Sequence, residues 1–237
     1  MEFKKLTVVI PCFNEASTLR EIVGRVLLAD TCDLITEVVI IDDASTDNSH
    51  EIAMDLANND SRINVLQHEK NQGKGAALRN GFKSGTGDIF IIQDADLEYD
   101  PNEFVKLLRP ILDGSADVVY GSRFRGSETT RVIYFWHSVG NKFLTLLSNM
   151  FSNLNLSDME TCYKAFRRDI IQSIPLNESR FGFEPEVTAK LVKLSPKPRV
   201  YEVGISYRGR TYSDGKKVGW RDGVHALICI IRYNLFS

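Results

Sequence analysis

Short apolar runs that end in acidic or glycine-rich loops set the rhythm of the first half of the chain. Leu6-Thr7-Val8-Val9-Ile10 is a β-branched run that Pro11 stops, the composition of a strand. Thr18 with Glu21 three residues later reads as a capping box, after which Leu19, Ile22, Val23, Val26 and Leu27 recur at helical spacing. A second strand, Glu37 to Ile41, ends in Asp42-Asp43, and Ile52, Met54 and Leu56 mark the helix that follows. A third, Ile63 to Leu66, leads through Asn71-Gln72-Gly73-Lys74-Gly75 into a helix from Ala76. The fourth, Asp88 to Ile92, ends at Asp94, and Pro101 opens the next helix as a favoured first-turn residue. Strands this continuously apolar are buried on both faces, which predicts an α/β protein with a mostly parallel sheet and helices on both sides.

After Tyr120 the alternation gives way to a Gly-, Ser- and Arg-rich loop, a long apolar helix and loops carrying acids and aromatics. One more strand is expected at Val200 to Tyr207 and a last helix near Ala226 to Tyr233. With neither repeat nor linker, the pattern predicts one domain over 1–237, regular over 1–120 and irregular over 121–237. Hydrophobic residues make up 43% of the 237 and charged residues 25%, which argues against disorder or a coiled coil. With 29 basic against 31 acidic residues, no global field invites nucleic acid, so any anion site is local. Cys12, Cys32, Cys162 and Cys229 lie far apart and read as free thiols in a reducing compartment. No window reaches the roughly 18 apolar residues that span a bilayer, and the apolar run after Lys4 and Lys5 is too short for a signal peptide. A cytoplasmic location is expected.

In an open parallel sheet the ligand sits beyond the carboxyl ends of the strands. Acids fall there three times: Glu15, Asp42-Asp43, and the Asp94, Asp96, Glu98 series. Crowded carboxylates require cations or ligand donors. Asp47 and Asp100 are expected to be helix caps, but one loop has no use for three caps. Alternation in an extended segment would put Asp94, Asp96 and Glu98 on one side, as hard oxygen ligands suited to Mg²⁺ or Mn²⁺ on a diphosphate.

Five fragments in order, VIPCFNE (9–15), DDASTD (42–47), NQGKGAALRNGF (71–82), DADLE (94–98) and GSRFRG (121–126), resemble family 2 glycosyltransferases of the GT-A, Rossmann-like fold. The likeness is greatest to the dolichyl-phosphate mannose synthase and polyprenyl-phosphate glycosyltransferase branch. It implies a base and ribose pocket at Pro11, Phe13, Glu15 and Asp43, with Asn71, Gly73 and Gly75 lining the nucleotide. Asp94 falls near the ribose and Asp96 on the metal, with Glu98 where this branch usually has a metal-touching glutamine. Arg123 matches an arginine that meets phosphate. Asp158, in SDMETCYKAFRR (157–168), matches an aspartate that precedes a Gly-Phe pair, here Cys162-Tyr163. Glu184, in FGFEPE, is placed to touch a sugar hydroxyl or orient a basic side chain.

The second half sets the acceptor. Over 132–151, Trp136, Val139, Phe143, Leu147 and Met150 follow helical spacing, with Arg131 just before and Lys142 inside. This is either a core helix or an amphipathic helix in a membrane interface, and the resemblance favours the interface. From Arg199 to Asp222 six basic residues stand against three acidic ones among glycines, a cationic loop able to fold over phosphates. Arg208 and Lys216 are its expected phosphate ligands. The activity implied is inverting, metal-dependent transfer from a UDP- or GDP-linked sugar to a polyprenyl phosphate at the cytoplasmic membrane face. A phosphate acceptor, its second pKa ~6, needs positive charge, offered by Arg123, Arg131, Arg208 and Lys216, with Asp158 holding the sugar or orienting Arg208 or Lys216. Transfer to a sugar hydroxyl would instead need a base, Asp158 or Glu184. A catalytically silent nucleotide-sugar binding module is the third alternative.

Overall fold

The computed structural model describes residues 2–126, 131, 132, 134–210 and 219–236. Strands β1 (Lys5–Cys12), β2 (Ile35–Asp42), β3 (Ile63–Gln67) and β4 (Ile89–Ile92) alternate with helices α1 (Leu19–Leu28), α2 (Ser49–Asn59) and α3 (Lys74–Ser84). A 3₁₀ turn at Pro101–Glu103, capped by the Asp100 carboxylate on the Asn102 N–H, leads into α4 (Phe104–Leu112) and β5 (Val118–Ser122). Then come α5 (Phe135–Ser152), β6 (Lys164–Arg167), the short α6 (Arg168–Ile171), α7 (Phe183–Leu191), β7 (Val200–Gly204) and α8 (Trp220–Leu235).

The strands pair in the order β3-β2-β1-β4-β6-β5-β7. All neighbouring pairs are parallel except those of β6, which runs antiparallel to both β4 and β5. Successive residues of β1 and β2 face opposite layers. Val8, Ile10, Val38 and Ile40 meet Leu19, Ile22 and Phe104 on one side, while Val9, Val39 and Ile41 meet Leu78, Phe82 and Phe183 on the other. Two buried layers explain why these strands read as unbroken apolar runs. Strand order reverses at β1, between β2 and β4, so a crevice opens beyond their carboxyl ends.

Three local expectations are corrected. The Thr18–Glu21 capping box does not form: the Thr18 hydroxyl turns back to the carbonyl and carboxylate of Glu15, and Glu21 pairs with Arg25. The segment read as a loop around Lys164 contains β6, which is too short and mixed to show a period because Lys164 itself is buried. Its ammonium lies 4.8 Å from the centre of the Tyr120 ring and donates to the Thr161 carbonyl. Glu184 lies in the first turn of α7 rather than in a loop.

Glu37 on β2 fastens the amino-terminal edge of the sheet. Its carboxylate accepts from Lys5 Nζ (2.8 Å), Thr7 Oγ1 (2.5 Å) and both the N–H and hydroxyl of Thr86 (2.7 Å each). Burial pushes its pKa up, but these donors, Lys5 foremost, override it and hold the carboxyl down to about 2 from an ordinary 4.5. A depressed carboxyl pKa contributes stability that is present above the unfolded value and lost as pH falls through the folded one. Glu37→Gln is therefore expected to lose about 2 kcal/mol at neutral pH. Urea unfolding should show the gap between variant and wild type closing as pH falls from 4.5 toward about 2.

Candidate active site

Each strand-end loop around the crevice holds a non-glycine residue in the left-handed region: Asn14 (φ 53°) after β1, Ala44 (57°) after β2 and Leu97 (63°) after β4. Such conformations cost of order 1–3 kcal/mol each and persist where the surroundings fix them. Here they are fixed by cross-loop bonds. Asn14 Oδ1 accepts from the Thr46 N–H at 2.7 Å, and the Glu15 N–H donates to Ser49 Oγ at 2.8 Å. Leu97 breaks the extended segment expected for the acids, so 94–98 is a turn. The carboxylates converge by folding rather than by alternation.

Asp43 organises the next loop. Its carboxylate accepts from the N–H groups of Gln72 (2.8 Å) and Gly73 (2.7 Å) and lies 2.6 Å from His68 Nδ1. Gly73, with φ 92°, approaches the Ser179 carbonyl so closely that a Cβ there would stand 2.3 Å from its oxygen. Only glycine suits both demands. Beside it Lys74, at the start of α3, places Nζ 2.6 Å from Asp94 Oδ1 and 2.8 Å from Cys162 Sγ. Burial alone would lower the Lys74 pKa, but Asp94, Cys162 and Glu184 hold it well above the ordinary value. The ammonium stays charged.

Arg210 ties the loops after β1 and β4 together. Its guanidinium reaches Glu15 (2.8 and 3.2 Å) and the Asp96 carbonyl (3.1 Å), and its N–H donates to Glu98 Oε1 at 2.6 Å. The Tyr207 hydroxyl donates to the other Glu98 oxygen at 3.0 Å. Asp96 lacks such strong compensation. Burial, then the charges of Asp94 and Glu98, push its carboxyl up to about 7.

Across from the acids, Arg123 forms a two-pronged pair with Asp158, Nε to Oδ2 and Nη2 to Oδ1 both at 2.7 Å. Asp158 is fully buried and also accepts from Asn141 Nδ2 at 3.0 Å. Burial pushes the Asp158 pKa up, but Arg123 overrides it and holds it below the usual range. Next to this pair, Glu160 has a buried Oε1 without a partner among the described residues. Burial, then Glu184, push its carboxyl up to about 8, so at neutral pH it is a hydrogen-bond donor.

These groups surround one cavity of about 1140 Å³. Pro11, Phe13, Glu15, Asp43, Asn71, Gly73, Asp94, Asp96, Glu98, Arg123, Arg131 and Glu184 all line it. Two expectations are corrected. Arg208 is largely exposed and turned toward Asp100 at 3.8 Å, outside the cavity lining. Asp158 anchors Arg123 rather than Arg208, and Lys216 lies outside the described residues. Lys74, Glu160, Tyr207 and Arg210 are cavity residues that sequence reasoning did not single out. Lys74 stood inside a recognised fragment, and Arg210 two places from the arginine chosen instead.

The donor set suits a hard divalent cation. Asp96 and Glu98 offer carboxylate oxygens, and the raised Asp96 pKa marks a buried charge short of positive partners.

On the opposite rim, α5 is amphipathic in an inverted sense. Thr145, Ser148 and Ser152 are buried, whereas Phe135, Trp136, Phe143, Leu146 and Met150 are exposed, Trp136 at 78%. Tyr134, Trp136 and Leu144 also line the cavity, so its mouth runs along an apolar helix. No helix among the described residues is long and apolar enough to cross a membrane.

A mostly parallel sheet with its crevice at the β1 reversal and acids at three strand ends is a doubly wound α/β architecture with a ligand crevice. Its fold matches glucosyl-3-phosphoglycerate synthase from Mycobacterium tuberculosis, crystallised with Mn²⁺, uridine diphosphate and phosphoglyceric acid, at TM-score 0.75 and 18% identity over 99% of this chain and 80% of that one. The chain belongs to glycosyl transferase family 2, whose model matches residues 7–174. It is 28% identical over 218 residues to a dolichol-phosphate mannosyltransferase of Pyrococcus furiosus, covering 90% of this chain and 60% of that protein. It is 27% identical over 217 residues to an undecaprenyl-phosphate 4-deoxy-4-formamido-L-arabinose transferase of Yersinia pestis, covering 90% and 62%. The chain thus spans about three fifths of the length of these relatives.

Proposed function

We propose that the protein transfers a sugar, with inversion, from a UDP- or GDP-linked donor to a polyprenyl phosphate, as a single functional domain docked on the cytoplasmic face of a membrane. The observation that carries this reading is one cavity that joins a strand-end acid cluster to the half-buried cations Lys74, Arg123 and Arg210 and then opens along the apolar face of α5. The lipid-phosphate acceptors named for the two curated relatives support it.

Donor base and ribose lie against Pro11, Phe13 and Asp43, with Gly73 letting the backbone approach. Asp96 and Glu98 would hold Mg²⁺ or Mn²⁺, which supplies positive charge for the leaving diphosphate. Arg123, fixed by Asp158, and Arg131, whose Nη1 donates to the Gly209 carbonyl at 3.0 Å, align the acceptor phosphate. An acceptor phosphate oxygen bonds to the anomeric carbon as the bond from that carbon to the diphosphate oxygen breaks. The attacking oxygen is already anionic, so no carboxylate has to take a proton from it.

The test is transfer from a panel of UDP- and GDP-sugars to a short polyprenyl phosphate, in parallel with a free sugar hydroxyl acceptor. Product on the lipid phosphate is expected; product on the hydroxyl alone would overturn the reading, and donor binding with no transfer to either would point to the binding module. In flotation with anionic liposomes, wild type should rise with the vesicles and Trp136→Glu/Phe143→Glu should stay behind. Equal flotation of the two would remove α5 from the membrane contact.

A further inference from the structure

Where the segment before α7 meets α8, Glu178, His225 and Cys229 bring three ligand atoms within 4.8 Å of one another. None of the three lines the cavity. His225 and Cys229 stand four residues apart on α8 and so share a face. His225 Nε2 lies 2.9 Å from Glu178 Oε2 and 3.5 Å from Cys229 Sγ. Around a tetrahedral zinc ion, nitrogen and sulfur ligands sit roughly 3.5 Å apart and nitrogen and oxygen roughly 3.3 Å. Only a small opening of the His225–Glu178 contact would be needed.

Two further features belong to such a site. The Tyr233 hydroxyl donates to Glu178 Oε1 at 2.7 Å, and Arg232 lies 3.9 Å from the same oxygen. This outer contact leaves Oε2 facing His225, as supporting groups orient a metal ligand. Gly182 supplies the space: a Cβ there would stand 2.7 Å from Cys229 Sγ and 2.8 Å from Glu178 Oε2. His225 is nearly half exposed, which gives an ion access, while Cys229 is buried.

We propose that Glu178 Oε2, His225 Nε2 and Cys229 Sγ form a zinc site, completed by water, that clamps α8 to the segment preceding α7. A thiolate, an imidazole and one carboxylate suit Zn²⁺, in contrast to the all-oxygen acids of the cavity. The clamp braces the cavity from behind. The Glu178 carbonyl packs so close to Gly75 that a Cβ there would stand 2.5 Å from it, and the Ala76 N–H donates to the Ser179 carbonyl at 3.2 Å. Zinc at this point thus holds the strip against which the amino end of α3 rests.

Cobalt reports the site directly. The full chain, stripped with chelator, is titrated with Co²⁺ and then with Zn²⁺. One equivalent of Co²⁺ should give a thiolate-to-metal charge-transfer band that Zn²⁺ abolishes; because Cys162 lines the cavity beside Lys74, removing its thiol tells the two sites apart. Cys229→Ser should lose the band, and Cys162→Ser and Cys32→Ser should both keep it. Tyr233→Phe should keep it with about 10-fold weaker affinity. If Cys229→Ser fails to fold, His225→Gln serves, with an affinity loss greater than that of Tyr233→Phe. Absence of the band in wild type, its survival in Cys229→Ser, or unchanged affinity in His225→Gln would overturn the site.

Discussion

Asp96→Ala is expected to abolish the metal-dependent part of donor binding and to lower turnover by on the order of 10²–10³-fold, the scale of losing one preorganised charge-stabilising group. Isothermal titration of nucleotide with and without Mn²⁺ checks it, and an unchanged metal dependence would remove Asp96 from the ligand set. The variant should remain folded. In the metal-free protein the Asp96 carboxyl titrates at about 7 instead of 3.8, first through burial and then through Asp94 and Glu98. A raised carboxyl pKa means that ionisation opposes folding, so stability falls as pH rises from 3.8 through about 7. Near pH ~8 the metal-free variant should therefore be at least as stable as wild type. Loss of function with no loss of stability marks a site group held against the preference of the fold.

Asp158→Ala should behave in the opposite way. Asp158 is fully buried and closes a two-pronged pair with Arg123 while also accepting from Asn141. Removing one member of such a pair leaves a buried charge uncompensated and costs roughly 3–5 kcal/mol, a fall in Tm on the order of 10 °C for a chain of this size. Turnover should fall too, because Arg123 loses its orientation. Arg123→Ala/Asp158→Ala should be less destabilised than the two single losses added together, since both charges leave. Arg123 holds the Asp158 pKa below the ordinary 3.8 against burial, so its contribution to stability is present above that value and lost as pH falls below it. No Asp158 limb should therefore appear in the neutral pH–rate profile. Urea unfolding with a pH–rate series decides it. Unchanged stability in the variant, together with a wild-type rate that rises through one carboxylate pKa and a limb that Asp158→Ala loses, would make Asp158 the base of a hydroxyl-transfer reaction instead.

The first half of the chain was legible because its signals are local. Strands buried on both faces show as unbroken apolar runs, so β1 to β4 and the acids beyond them could be read in order, although β1 runs on through Pro11 to Cys12 and β2 takes in Asp42 itself. The same locality concealed the rest. β6 has four residues, one of them a buried lysine, and its insertion antiparallel between β4 and β5 is decided by sheet partners far away in sequence.

The sequence by itself determined the α/β class, the mostly parallel sheet, the family resemblance and the strand-end residues that gather around the crevice. Tertiary structure decided how the charges pair. Arg208 and Arg210 are indistinguishable as composition, yet only Arg210 reaches Glu15 and the Asp96 carbonyl, because that depends on how the chain after β7 crosses the strand-end loops. It also decided that α5 buries its small hydroxyl residues and exposes its aromatic ones: helical spacing marks a face, and only the packing around a helix decides which face is turned inward.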